Sequence, residues 1–571
     1  MFAFHGLQSR VTHKPKMPDT ITKWPMLPPD PLAASIEPPK RAGDLENRPG
    51  EELDEADDSN INSILAVSDT QGFLHCFLDG SCPLGSILVS ALSTTSSLSK
   101  DPQQPILFAY RSAHGHTSLL PSSIHISLLA GRLPRDIARS STTARELVWY
   151  VMRAVDEMRA TWFGSDTQPG AKQPGQKWLQ ALQTLQPGGT GDKAMWSLTD
   201  LTLLLISGRS TEAISDFIGS GELMSERGLQ KWETTVNEAL MKLRDFAEQR
   251  VAPACQRFHI IMEEVLGWSQ LPQFAICALQ KEDIDFCLQM TSRAIVSANW
   301  LAATARRELS RFKEFMKWLR FEIANVNPTV EPMQQPRHDI LEVNSYLMSG
   351  LVDSEIDSWF FHGPPKFSPQ DLGVPHEKQD LPSVINRARH ALLEDSSTNL
   401  SHTVIRRNLG TVARNMDTLI QVLAKRTEQI FALACEATAR SARVSHNTGS
   451  MNGRPIPTAG PSSPDHTFII RERTIVDKDE ASVKASHFIQ HLAIRGRSAE
   501  GRMCLCLIRL RYNREACSSP AYLGSAIIEC RLAQDGGLFA DFDLLDVDFF
   551  DDENLVVVFR TRDVPGKSPV R

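Results

Sequence analysis

Residues 281–324 read KEDIDFCLQMTSRAIVSANWLAATARRELSRFKEFMKWLRFEIA. Ile284, Leu288, Thr291, Ile295, Ala298, Ala302, Ala305, Leu309, Phe312, Met316, Leu319 and Ile323 recur there at alternating spacings of four and three. That period keeps one face of a helix apolar and predicts a bundle or coiled-coil seam. At 1.5 Å per residue the helix is roughly 60 Å long. A second seam runs through Leu229, Trp232, Val236, Leu240, Leu243 and Ala247, then Phe258, Met262 and Val265, with a kink expected at Pro253. A third runs through Leu409, Val412, Met416, Leu419, Leu423, Ile430, Leu433 and Ala437. Alanine and threonine within the seams let neighbouring helices approach closely.

Outward from these seams the pattern is weaker. Helical period begins near Ala144, where Leu147, Val148, Val151, Val155 and Met158 share a face. Short helices are expected around Trp178–Leu185, Met195–Ile206 and 339–361, the last ending in Trp359-Phe360-Phe361. Residues 144–443 therefore predict an elongated antiparallel bundle, with long seams over 226–325 and 405–443. On its N-terminal side, Ile61–Val67 and Phe73–Leu78 read as a hairpin, and Ile87–Leu92, Ile106–Tyr110 and Ile124–Leu129 as further short strands. Residues 61–135 thus form a β segment. After a Gly/Pro/Ser/Asn linker at 444–466, strands return at Thr467–Ile475, Met503–Leu510, Ala526–Cys530 and Leu555–Phe559, in a second β segment over 467–562, before a tail at 563–571. The order β, α, β is explained economically by a helical unit inserted between two pieces of one sheet domain. Residues 1–60 are Pro-rich, then acidic at 51–58 (EELDEADD), and are expected to stay extended or disordered.

A chain of 571 residues exceeds one core, since cores stop growing near ~250–300 residues. Its 41% hydrophobic and 23% charged residues are ordinary for a globular protein. A formal net charge of -7 offers no basic footprint for nucleic acid. Met1–Asp30 has no apolar leader-like run, and no stretch approaches the ~20 apolar residues of a membrane helix. Ten scattered cysteines without a dense framework suit a reducing compartment.

Motifs that could carry chemistry are sparse. Cys504 and Cys506 alternate with Met503, Leu505 and Leu507, so both thiols are expected in a strand core rather than on zinc. His114 and His116 have no nearby acidic or cysteine partner. Asp541, Asp543, Asp546, Asp548, Asp551 and Asp552 lack the turn glycine of a calcium loop and read as a solvated turn before Leu555–Phe559. No metal, cofactor or catalytic residue is expected. Phe315, Trp318, Trp359 and Phe360 are the candidate interface aromatics, packing either on another helix or on a partner subunit. Ser368-Pro369 and Ser463-Pro464 are candidate phosphosites in segments expected to be exposed; a phosphate there adds about −1.5 to −2 charge, and unmodified linker serines are the alternative.

Residues 198–208 (LTDLTLLLISG), 228–233 (GLQKWE), 312–319 (FKEFMKWL) and 548–558 (DFFDDENLVVV) together resemble the family of anaphase-promoting complex subunit 4. The third is similar to that family's F-K-x-F-x-x-W-L stretch, and the fourth to its F-Y-D-D-E-x-x-x-V-V segment. The resemblance implies an α+β multidomain chain, with a long helical bundle inserted between two β segments of a WD-repeat-like propeller. The propeller is expected to be incomplete at both ends, because four to eight blades need more strands than the sequence offers. It also implies a non-catalytic platform subunit of a cell-cycle ubiquitin ligase, found in nucleus and cytoplasm. Its partners would be other large subunits of the complex, with no nucleic acid, membrane or small-molecule substrate. The alternatives are another WD-repeat and coiled-coil scaffold such as a membrane-trafficking tether, or an unrecognised enzyme.

Overall fold

The computed structural model describes residues 17–28, 63–90, 93–101, 105–113, 119–165, 168–185, 193–220, 224–326, 337–360, 415–446, 470–476, 487–497, 502–513, 521–533 and 539–561. The chain divides into two units. A helical unit takes Met1–Trp24, Thr142–Ala275 and Leu279–Ile430, and a strand unit takes Pro25–Ser141, Ile276–Ala278 and Phe431–Arg571.

In chain order the described helices are α1 (Asp19–Lys23), α2 (Leu133–Phe163), α3 (Gln173–Leu185), α4 (Lys193–Ser207), α5 (Glu212–Ser220), α6 (Glu226–Phe246), α7 (Ala252–Ser269), α8 (Lys281–Val326), α9 (Ile340–Ser349), α10 (Met416–Cys435) and α11 (Ala437–Arg440). α1 corrects the expectation that everything before residue 60 is extended or disordered. Ile21 and Trp24 are buried, and Arg145 Nε donates to the Ile21 carbonyl at 2.9 Å. Two apolar anchors among the prolines suffice to hold it.

α2 begins eleven residues before the expected start at Ala144, and it buries Ala144, Leu147, Val148, Val151, Val155, Met158 and Trp162. Ser225 caps α6 by accepting from Gly228 N at 3.2 Å. The kink expected at Pro253 takes another form. Residues Ala247–Val251 are π-helical, with Ala252 N–H bonded to the Ala247 carbonyl, and Pro253 falls in the first turn of α7. Helical backbone continues from α6 through the π turn into α7, so Pro253 withholds one N–H from the preceding turn, and the wider π turn takes up that mismatch.

The 46-residue α8 lies at the centre of the helical unit, packed by α5, α6, α7 and α9. Its seam is consequently wider than the period suggests. Cys287, Met290, Ala294, Trp300, Leu301, Phe315 and Trp318 are buried beside Ile284, Ala298, Phe312 and Met316. In α10, Leu419, Ile420, Leu423 and Phe431 point inward, while Leu433, expected in the seam, is 46% exposed. The expected helical seam over 405–443 also ends early: Ala442–His446 is a strand, and Leu409 and Val412 lie outside the described residues.

Among the described residues the strand unit holds four antiparallel sheets: β1 (Ile64–Ser68), β2 (Phe73–Leu78) and β3 (Cys82–Leu88); β4 (Ser93–Lys100), β5 (Ile106–Ala113), β6 (Leu119–Ile126) and β7 (Ala442–His446); β8 (Ile470–Val476), β9 (His487–Arg497), β10 (Met503–Asn513) and β11 (Ala521–Glu529); and β12 (Arg531–Ala533), β13 (Phe539–Phe549) and β14 (Leu555–Thr561). β7 follows the helical unit in sequence yet pairs with β6, with Ile124 opposite Val444. The helical residues are thus an insertion within one four-stranded sheet. Gly85 of β3 makes this region tight: a Cβ there would stand 2.7 Å from Ala439 Cβ of α11. Two apolar layers bind the later sheets. Phe108 and Tyr110 of β5 meet Phe488, Cys504, Cys506 and Tyr512 in one; Met503 and Leu505 meet Leu544 and Val547 of β13 in the other. The strand expected at Ile87–Leu92 lies earlier, at β3. The acidic residues Asp541, Asp543, Asp546 and Asp548 belong to β13, with Leu544 and Val547 facing the core, so only 551–554 form the expected turn.

Candidate functional site

The most densely organised part of the helical unit is built around the 312–319 stretch of α8. Phe312 lies 5.5 Å from the Tyr346 ring of α9, and Phe315 lies 5.7 Å from Trp232 of α6 and 6.0 Å from Trp178 of α3, an edge-on contact. Trp178 in turn meets Phe217 of α5 at 5.5 Å. Aromatic rings at these separations add about 0.5–1.5 kcal/mol per pair beyond burial. Trp318 is fully buried and its Nε1 donates to Glu322 Oε1 at 3.0 Å.

A polar network closes the neighbouring end. Residues Glu355–Trp359 form a 3-10 turn, and Ser354 with Asp357 makes a capping box at its start. Asp357 accepts from Trp162 Nε1 at 2.9 Å and from Lys172 Nζ. Ser354 Oγ donates to Glu308 Oε2 at 2.5 Å, inside α8's buried face. Burial pushes the Glu308 carboxyl up to about 8, against the opposing hydrogen bond from Ser354. Arg307 holds Glu355 at 3.0 Å, and Arg311 bridges Glu355 and Glu342 at 3.7 and 3.4 Å. Trp359 Nε1 donates to the Ser297 carbonyl at 2.9 Å, and Phe360 stands edge-on to Phe163.

This placement corrects the expected interface. Phe315, Trp318 and Trp359 are fully buried and Phe360 is 6% exposed. Their position off the predicted seam follows from α8 being covered on several sides, so they bind the unit together instead of facing a partner. Ser368 and Ser463 lie outside the described residues, as do His114 and His116. Glu308, Ser354 and Asp357 were missed in the sequence. The S-x-x-D spacing of Ser354 and Asp357 is a capping signal that could have located the turn, whereas nothing local marks Glu308 as buried.

The arrangement is structural in its chemistry. Nine cysteines are described and all are buried. Burial pushes the thiols of Cys76, Cys255, Cys287 and Cys506 up to about 12, and those of Cys277 and Cys530 to about 11, far from a nucleophilic thiolate. Cys504 and Cys506 share one core face, as their alternation predicts. Among the described residues no group of three or more His, Cys, Asp or Glu could hold a metal ion, and no helix is long and apolar enough to cross a membrane.

Fold and site together define the class: a mixed α+β chain whose helical domain, knit by a buried aromatic and polar core, interrupts a sheet of a strand-built unit. Comparison with known proteins says what the chain is similar to. Residues 119–328 match the family described as anaphase-promoting complex, cyclosome, subunit 4. Those residues run from β6 to the end of α8 and include three of the four motifs; the fourth, 548–558, lies beyond them. Anaphase-promoting complex subunit 4 of Schizosaccharomyces pombe is 24% identical over 344 residues, which cover 58% of this chain and 44% of the relative. The resemblance to subunit 4 read from the motifs is thereby shown, and the chain spans less than half the length of that relative.

Proposed function

We propose that the chain is a non-catalytic platform subunit of an anaphase-promoting complex. It would hold other large subunits together in support of ubiquitin-dependent degradation of mitotic regulators. The observation that carries this is the match over 119–328, which takes in most of the residues building the aromatic core around Phe312 and Phe315. A core of that kind gives a rigid body, which a platform requires. The nine described thiols, all buried, support a role without ubiquitin transfer of its own. The strand unit, with four described sheets in sequence order and a helical insertion, supports the propeller-like reading of the family. Nucleus and cytoplasm are the compartments that such a role calls for. Nucleic acid, membrane and small molecules have no part in it. Ser368 and Ser463 stand as proposed sites of mitotic phosphorylation, to be checked by phosphosite mapping from arrested cells.

Affinity purification of the tagged chain from mitotic cells, followed by mass spectrometry, tests the proposal. Recovery of anaphase-promoting complex subunits is the expected result. Recovery of a coat or tethering complex instead would replace it. In a thioester assay with charged conjugating enzyme, the chain should acquire no reductant-sensitive ubiquitin adduct.

A further inference from the structure

We propose that the free edge of β11, with the cleft beside it, docks an extended segment of a partner protein: an apolar strand flanked by lysine or arginine. β11 is the last strand of its sheet, paired with β10 alone among the described strands. On β10 one face is closed by Cys506, Ile508 and Leu510, and the other is closed at Met503 and Leu505 and opens at Leu507 and Arg509 into the cleft. One strand further out both faces are open. Ile527, opposite Cys506, is 56% exposed, and Ile528, opposite Leu505, is 49% exposed. Tyr522 and Leu523 are likewise exposed. Natural sheets guard such an edge with lysine, proline or an inward charge. Residues 521–528 (AYLGSAII) contain none of these; the strand carries a bulge at Leu523 and a charge only at its last residue, Glu529. From Gly524 to Ile528 the edge is regular and apolar on both faces, and such an edge is what β-strand addition uses, the backbone giving affinity and alternate side chains giving specificity.

The cleft supplies the pocket that such a strand needs. It measures about 760 Å³, and it is lined by Ile489 and Leu507, by Gly524 of β11, and by Phe549 and Leu555 at the β13–β14 turn. A Cβ placed on Gly524 would meet nothing within 4 Å. The rim fixes the charge of the occupant. Asp551, Asp552 and Glu553 gather at the turn, and Asp552 and Glu553 line the cleft together with Arg509. Arg473 is already engaged with Asp552 at 2.7 Å. Phe550, at the tip of the same turn, is 74% exposed. A second copy of this chain would bring its own acidic turn against these carboxylates, which favours a basic partner over self-association. This surface goes beyond the subunit proposal and stands without it.

The test uses the isolated 571-residue chain and two labelled decapeptides, each of alternating valine and threonine, one flanked by lysines and one by glutamates. Fluorescence anisotropy should show the lysine peptide binding and the glutamate peptide not binding. Amide exchange across 521–529 should slow when the lysine peptide is bound. Glu553→Lys, on the exposed turn, and Gly524→Leu, which fills open space, should each weaken binding by about tenfold or more. Binding of neither peptide, or equal binding of both, overturns the proposal. So does binding indifferent to both substitutions. Concentration-dependent dimerisation that protects β11 without any peptide would assign the edge to a second copy and overturn it too.

Discussion

Phe312 and Lys313 are neighbours in sequence with opposite fates: the ring is fully buried against Tyr346 and the lysine is exposed. Phe312→Asp removes an anchor whose truncation alone costs roughly 3–5 kcal/mol, and it adds a buried charge. Domains are stable by only about 5–15 kcal/mol, so cooperative melting of the helical unit should be lost. Lys313→Asp should cost under about 1 kcal/mol. Circular dichroism melts of the two variants check both values. Glu308 offers a pH test. Its folded carboxyl titrates at about 8, above the ordinary 4.5. Between those values the unfolded chain releases the proton and the folded chain keeps it. Stability therefore falls as pH rises through that window, and it levels off above about 8. Glu308→Gln cannot ionise, so its stability relative to the parent should grow from pH 5 to pH 8 in urea unfolding. A constant difference would mean that the carboxyl is ionised when folded. Burial of Phe312 was legible from the period of α8. That of Glu308 was not, because a glutamate in a helix ordinarily faces water.

At the scale of elements, the long helices were legible and the strands were so only in part. A helical period repeats over many turns, whereas a strand of five to eight residues offers two or three alternations. β4 (STTSSLSK) is nearly all hydroxyl residues and gives no apolar alternation, and β13 hides its Leu544 and Val547 among aspartates. β7 is invisible locally, because its partner β6 is distant in sequence. Its pairing yields a prediction. Ile124 is fully buried and opposite Val444, so Ile124→Ala should cost about 2–5 kcal/mol. The same substitution should speed amide exchange at 442–446 more than at 64–68, which belongs to another sheet. Equal acceleration in both segments would mean that the two sheets open together.

For the whole molecule, the seams over 226–443 suggest a fragment that folds by itself, and the packing argues against it. Trp232 and Phe315 both pack against Trp178, which in turn meets Phe217, and both of those rings precede that fragment. A fragment of residues 226–443 should therefore melt without cooperativity, and one of 133–435, which restores both rings, should melt cooperatively. Calorimetry of the pair decides it. By itself the sequence determined that the chain is helical in its middle and strand-built on either side, and its motifs carried the family resemblance, because periodicity and short motifs are local properties. Only the tertiary structure decided that β7 returns to β6, that α8 is a central helix, and that Phe315, Trp318, Trp359 and Phe360 are core instead of surface. The physical reason is that burial depends on how many neighbours cover a helix, and those neighbours come from distant parts of the chain.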